Sequence, residues 1–508
     1  MNHWLILPIL LPAVLGAVLV IAARHDRLLS RVFAVASCVL LLVLGVVLLV
    51  MASDGSIRSY ALGDWVAPFG IVLVLDRLSA LMLVLTAALG LGVLLYAIGG
   101  WDERGKHFHP LFQFQLMGLN GAFLTGDFFN LFVFFEILLI ASYGLMVHGG
   151  GGLRVKAGVQ YVVTNLVGSS LFLIAVGLIY SVTGTLNMAD LALKVPQVPA
   201  ADQALLQTGA VLLLLVFGVK AALVPLHFWL PGTYANAPGP VAALFAIMTK
   251  VGAYSIIRLY VLAFGADAGE AAWIAAPWLL PAGLLTLVLG MSGVFAARSL
   301  GQMASFAVIG SMGMLLATVS VFTPQALSAA LFYLVHSTFG AAALFLIADL
   351  VAERRGVQRD RLALAPRFAQ GTLIAGLFFA AAIAVAGMPP LSGFLGKLLV
   401  LDAVRAHPQA VWFWALILAT SLLAILGFAR GGSLVFWKSH ALLEAPGSAS
   451  RRPAPVLPFV AVGGLLAVLA VLTVAAGPVH AWLEQASEQV FAPAGYIDAV
   501  LGAAEGGQ

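Results

Sequence analysis

The chain has 508 residues, 62% of them hydrophobic and 9% charged, and its mean hydropathy is +1.07. Soluble domains run at about 45–50% apolar and about 25% charged, so a soluble globular protein is excluded and a polytopic membrane protein is expected. The net charge of +4 is spread over short loops, where it bears on orientation in a bilayer rather than on nucleic-acid binding. The single cysteine, Cys38, lies in an apolar run; it excludes an intrachain disulfide and any all-cysteine zinc or iron–sulfur site.

A membrane span needs about 20 apolar residues. On that ruler about fourteen transmembrane helices are predicted, near 4–23, 30–51, 75–98, 108–125, 128–148, 155–181, 205–235, 240–264, 272–296, 299–322, 325–350, 371–406, 411–437 and 456–476. The first is too long for a signal-peptide core and has no basic stretch before it, so it is read as a retained helix. The seventh and twelfth are too long for one straight crossing and carry Pro225 and Pro389-Pro390 near their middles. Proline removes an N–H and clashes with the carbonyl four residues back. Both helices are therefore expected to be broken, freeing the carbonyl of Ala221 in one and those of Val385 and Ala386 in the other. Freed backbone at that depth is tolerated only against protein or a wet cavity. The 438–458 linker reads as a flexible loop, and the tail after Pro478 as a surface segment with a frayed end. The Gly149–Gly152 run is followed by Leu153 and Arg154, without the Lys-Ser or Lys-Thr pair of a phosphate-binding loop, and reads as a connecting loop.

Loops from odd to even helices carry Arg24, Arg27, Arg31, Arg104, Lys106, Arg154, Lys156, Arg298, Arg354, Arg355, Arg359, Arg361, Arg367, Lys438, Arg451 and Arg452. The other set offers only Arg58, Lys194 and Arg405. By the positive-inside rule the first set faces the cytoplasm and both termini face out.

The informative residues are the charges inside the spans. A lysine near the bilayer centre costs about 2.5–3.5 kcal/mol on insertion scales. Glu136 sits midway along the fifth span among apolar helical neighbours, so its partner must come from another helix. Lys220 closes the first half of the seventh. Desolvation favours a neutral lysine and a nearby carboxylate the charged one, so the approach of Glu136 would decide whether Lys220 holds its proton; a purely structural ion pair is the plainer alternative. Lys250 lies some ten residues inside the eighth span, with Tyr254 and Arg258 following at four-residue spacing. Arg258 either joins that file or snorkels to the surface. His336 lies in the eleventh span and suits a relay, although a lone histidine is also simply satisfied by a carbonyl. Lys397 follows the second break, with Asp402 five residues on. Pro225, His227, Pro389 and Pro390 mark the breaks or a gate. A hydrated row of Glu136, Lys220, Lys250, His336 and Lys397 at mid-depth is what proton translocation requires. No cofactor ligands are recognised, and no metal site is assigned.

FNLFVFFEILLIASYGL (129–145), VKAALVPLHFWLPGTYANAPGPVAALFAIMTKVGAYSIIR (219–258) and AGMPPLSGFLGKLLVLDA (386–403) resemble the antiporter-like subunits shared by Mrp-type cation/proton antiporters and the membrane arm of respiratory complex I. LPGTYANAPGP and LFYLVHSTFGAAALFLIADL are most similar to the D-subunit branch of that family. The resemblance implies that Glu136 and Lys220 form the ion pair controlling a proton channel. It further implies that Lys250 bridges and Lys397 ends the second half-channel. Ser337-Thr338-Phe339-Gly340 follow His336 where many relatives carry a further lysine, which puts more weight on His336 or on water.

The expected fold is an all-α polytopic membrane protein with two inverted five-helix repeats, each with a broken helix. The expected division is an N-terminal three-helix segment (1–105), a first repeat (106–265), a second, inverted repeat (266–438) and a last span with its tail (439–508). The expected function is the proton-translocating subunit of a Na⁺ or K⁺/proton antiporter in the bacterial inner membrane. Its expected partners are one larger antiporter-like subunit and several small ones. The alternatives are a proton-pumping subunit of a complex I-type oxidoreductase or membrane-bound hydrogenase, and a purely structural scaffold.

Overall fold

The computed structural model describes residues 3–22, 26–438 and 455–502. Arg24, Arg451 and Arg452, most of the 438–458 linker and the last residues of the tail lie outside them.

The N-terminal group is α1 (Leu7–Ile21), α2 (Arg27–Ala52) and α3 (Arg77–Ala97). Between α2 and α3 lies a small antiparallel hairpin that hydropathy did not predict, β1 (Arg58–Ala61) on β2 (Val72–Leu75), with Arg58 opposite Leu75 and Ala61 opposite Val72. A first five-span set follows. It comprises α4 (Phe108–Leu124), α5 (Phe128–Met146), α6 (Gly152–Thr183), the short connector α7 (Met188–Lys194), the broken pair α8 (Gln203–Lys220) and α9 (Trp229–Asn236), and α10 (Gly239–Leu262). The second set is α11 (Ala276–Ala296), α12 (Leu300–Val319), α13 (Pro324–Ala352), the broken pair α14 (Gly371–Ala386) and α15 (Ser392–Ala403), and α16 (Ala410–Gly432), which a π-helical turn extends to Trp437. α17 (Val456–Val474), α18 (Ala476–Val490) and α19 (Pro493–Leu501) close the chain.

Each predicted span contains helix. Among the described residues eleven helices are long and apolar enough to cross a membrane unaided, and α1 and α14 are shorter apolar helices. The breaks fall in the fourth span of each set, five spans apart, so the two broken helices run in opposite directions. Helix starts are set by short polar side chains at the span ends: Asp76 accepts from Ser79 N, Asp127 from Asn130 N, Ser299 from Gln302 N and Thr323 from Ala326 N.

Contacts between loops sort them into two faces. On one, Arg104 donates to both Glu353 oxygens at 2.8 Å, Arg154 Nε to the Asn236 carbonyl at 3.1 Å, and Leu362 N to the Arg298 carbonyl at 2.9 Å. On the other, Gly126 N donates to the Val72 carbonyl and Met188 N to that of Gly126. Alternating crossings require this division.

The tail is not the surface segment expected. α18 buries Leu483, Ala486, Ser487 and Val490, and Arg77 ties it down through Gln485 and Gln489. Its apolar stripe has a helical period and a protein face to cover, which hydropathy alone does not distinguish from lipid.

Candidate functional site

At the first break, helical geometry stops at Lys220. Ala222 takes a positive φ of 54°, so the turn comes before Pro225 is reached. A captured carbonyl is that of Val219, two residues ahead of the Ala221 oxygen predicted: it accepts from Trp229 Nε1 at 3.0 Å. Val224 N donates to Thr286 Oγ1 of α11 at 2.9 Å. Side chains thus supplement the backbone bonds of the unwound turn, from Ala222 N to the Val219 carbonyl and from Leu223 N to that of Gly218, as a low-dielectric setting demands. Pro225 is exposed, and His227 is half-buried with no partner on Nδ1 among the described residues.

Lys220 is buried and its Nζ donates to Asn165 Oδ1 at 3.0 Å; the Phe135 ring centroid lies 5.7 Å away. Glu136 accepts a hydrogen bond from Ser169 Oγ. Asn165 and Ser169 are one turn apart on α6, so they form a polar rung between the two charges. Glu136 and Lys220 are not within the 4.0 Å of an ion pair, so the contact implied by resemblance is absent here.

α10 is buried at every position. Gly252 permits this: a Cβ there would lie 2.8 Å from Ala221 N and 2.9 Å from the Phe217 carbonyl. The close approach seats α10 on the end of α8, two residues from Lys250. Among the described residues Lys250 Nζ has no protein acceptor, so the fold leaves this amine able to exchange a proton without breaking a contact. Arg258 does not snorkel. It is 5% exposed and bonds both oxygens of Asp76, at 2.6 and 3.0 Å. Tyr254 donates to the Phe123 carbonyl at 2.6 Å.

At the second break α14 ends at Ala386, and Gly387 turns the chain at φ 75°. Lys397 Nζ reaches back to the Ala386 carbonyl at 2.6 Å, one of the two oxygens the prolines were expected to free, and to Ser421 Oγ of α16 at 2.7 Å. His336 Nδ1 is 2.9 Å from Ser392 Oγ at the start of α15. A Cβ on Gly393 would come within 2.7 Å of His336 Nε2, so glycine lets the histidine lie against the break. Pro389 and Pro390 are exposed and shape the break without touching these groups. Asp402 is not brought into the row. Its side chain is exposed and pairs with exposed Arg405 at 3.7 Å, because five residues carry it to the far side of α15 from Lys397.

The arrangement is two clusters, Glu136–Ser169–Asn165–Lys220 and His336–Ser392–Lys397–Ser421, with Lys250 on α10, a helix that packs both on α8 and on α13, the helix of His336. Sequence reading missed Asn165, Ser169, Ser392, Ser421 and Asp76. The signals were present: two polar residues four apart in α6, serines at and opposite a break, and an Asp-x-x-Ser start before an apolar run.

Residues 125–425 match the family model described as NADH:quinone oxidoreductase/Mrp antiporter, TM. The chain is 42% identical to the probable K(+)/H(+) antiporter D subunit of Rhizobium meliloti (strain 1021), over 100% of this chain and 99% of that protein. It is 37% identical to the Na(+)/H(+) antiporter D subunit of Bacillus subtilis (strain 168), over 99% and 100%. A chain of the Mrp complex from Dietzia sp. DQ12-45-1b superposes with a TM-score of 0.86 at 28% identity, covering 99% of this chain and 100% of that one. The broken helices with their buried lysines and this end-to-end similarity agree: the chain belongs to the NADH:quinone oxidoreductase/Mrp antiporter transmembrane family.

Proposed function

We propose that this chain is the proton-translocating subunit of a multisubunit Na⁺ or K⁺/proton antiporter, exporting the cation at the expense of the proton gradient. The observation that carries the reading is the set Glu136, Lys220, Lys250, His336 and Lys397, buried or half-buried within spans, with three of them bonded at or beside the two helix breaks. Glu136 and Lys220 would load the proton through the Ser169–Asn165 rung, Lys250 would pass it laterally, and His336 and Lys397 would release it beside the second break. The names of the relatives, antiporter D subunits in both cases, favour this over the oxidoreductase reading. Partners would be one larger antiporter-like subunit and several small ones.

The chain would divide at about residues 105, 265 and 438 into the N-terminal segment, two inverted repeats and the last span with its tail. It would lie in the bacterial inner membrane with both termini outside; the gathering of Arg104, Arg154, Arg298, Arg354 and Arg355 in loops of one parity supports that orientation.

Lys220→Ala or Glu136→Ala is expected to abolish exchange in inverted vesicles while blue-native gels still show the assembled complex. Full exchange in both variants would refute the role, and loss of assembly without loss of turnover per complex would favour a scaffold.

A further inference from the structure

α10 carries Lys250, Tyr254 and Arg258 at four-residue intervals, so three polar side chains descend toward the end of the helix at Leu262. Such a file would offer the Lys250 proton a direct way out. Its chemistry closes it instead. The Tyr254 hydroxyl donates to the Phe123 carbonyl at 2.6 Å and accepts from Arg258 Nη2 at 3.1 Å. Arg258 occupies both oxygens of Asp76, and one of them also accepts from Ser79 N at 2.8 Å. A guanidinium does not release its proton in a protein, so the Arg258–Asp76 pair relays none itself, and only water reaching past the pair could carry one out.

Over this dead end lies the C-terminal segment. The Tyr496 ring of α19 is centred 5.2 Å from Arg258 Cζ, and the residue is buried. Its hydroxyl has no partner among the described residues and sits by Gly126, where a Cβ would come within 3.1 Å of it. The helices bearing it are strapped to the hairpin side of the molecule. Arg77, next to Asp76, bonds Gln485 at 2.6 Å and, through its backbone N, Gln489 at 2.9 Å. Trp482 Nε1 donates to Ser53 Oγ, Gln489 Nε2 to the Gly55 carbonyl, and Ser59 Oγ to the Ala499 carbonyl.

We propose that α18 and α19 seat Tyr496 on the Arg258–Asp76 pair as a seal that keeps the proton held at Lys250 from the face where α10 ends, so that it leaves only laterally. Arg258, Asp76 and Tyr496 are positioning residues in this account, which rests on the proton-translocation reading above.

The test uses the purified whole complex in proteoliposomes under an imposed pH gradient without Na⁺ or K⁺. Tyr496→Ala should raise the proton leak by about tenfold, the change expected for a modest loss of barrier, and Gln485→Ala with Gln489→Ala, which loosens the strap, should raise it less. An assembled Tyr496→Ala complex as tight as the parent would overturn the seal. A second readout does not depend on transport. In a Cys38→Ala, Tyr254→Cys background, a membrane-impermeant maleimide should react from the side where α10 ends only after Tyr496→Ala is added. Equal labelling with and without that change, or none in either, would also overturn it. If exchange proves absent while labelling follows the expectation, the transport reading fails and the seal stands.

Discussion

A lysine ammonium inside a protein at bilayer depth needs an acceptor, and the three intramembrane lysines solve this differently. Lys220 has a side-chain amide, Lys397 has a carbonyl released by a helix break together with a serine, and Lys250 has no protein acceptor among the described residues. The first two are held in place and the third is free to change state, as a bridging group would need to be. Asn165 is then more than packing. Asn165→Leu keeps the branched heavy-atom skeleton but removes the acceptor of Lys220. Hydrogen bonds to charged groups contribute about 1.5–3 kcal/mol, so exchange should fall by about tenfold or more. Ser169→Ala should lower it less, because it leaves the Lys220–Asn165 bond in place; initial rates of fluorescence dequenching in vesicles would measure both. Arg258 shows the opposite use of charge. Its bidentate bond to Asp76 has the geometry that guanidinium–carboxylate pairs favour, and it leaves no capacity for a relay.

At the scale of elements, α10 is the axis of the site, and a buried carboxylate stands at each of its ends. Near its last turn Arg258 meets Asp76. At its first residue, Gly239 faces Asp349 so closely that a Cβ would lie 2.4 Å from the Asp349 Cβ. Asp349 in turn accepts from Trp101 Nε1 at 2.6 Å and Tyr96 OH at 2.8 Å. A carboxylate at a helix N-terminus complements the helix dipole, so Asp349 both anchors α10 and joins it to α3 and α13. The second break depends on similar closeness. A Cβ on Gly393 would sit 1.9 Å from the Ala384 carbonyl as well as against His336. Gly393→Ala should therefore cost about 1–3 kcal/mol through overpacking and lower both the thermal midpoint and exchange. Gly376→Ala in α14, where a Cβ meets nothing within 4 Å, should be neutral or mildly stabilising. Thermal unfolding of the detergent-solubilised complex would check the contrast.

At the scale of the whole molecule, polar clusters at the loop ends tie the N-terminal helices to the two sets. Asp102 accepts from Arg31 Nε at 2.7 Å and Nη2 at 2.9 Å and lies 3.1 Å from His109 Nε2. Burial alone would raise its pKa, but the bonds to His109 and Arg31 outweigh burial and hold it below the usual carboxylate value. A depressed carboxylate stabilises the fold above its unfolded pKa of about 3.9 and loses that contribution as pH falls through the lowered value. Asp102→Asn should therefore lower the thermal midpoint at neutral pH and blunt its further fall on acidification, as a series of melts from neutral to acid pH would show. The helical spans, the two breaks and the buried charges were legible in the sequence, because apolar run length, the missing N–H of proline and the cost of a charge in lipid are local properties. The lateral partners of those charges were not: Asn165 and Ser169 lie on α6, Ser421 on α16 and Asp76 at the start of α3, each brought in by packing between segments distant in the chain. Nor did hydropathy tell the wholly buried α10 from α6, whose outer face carries exposed Val163, Leu166 and Val167, since lipid tails and a protein interior are equally apolar. Tertiary structure alone decided which apolar faces meet protein, and so which polar side chains stand beside each buried charge.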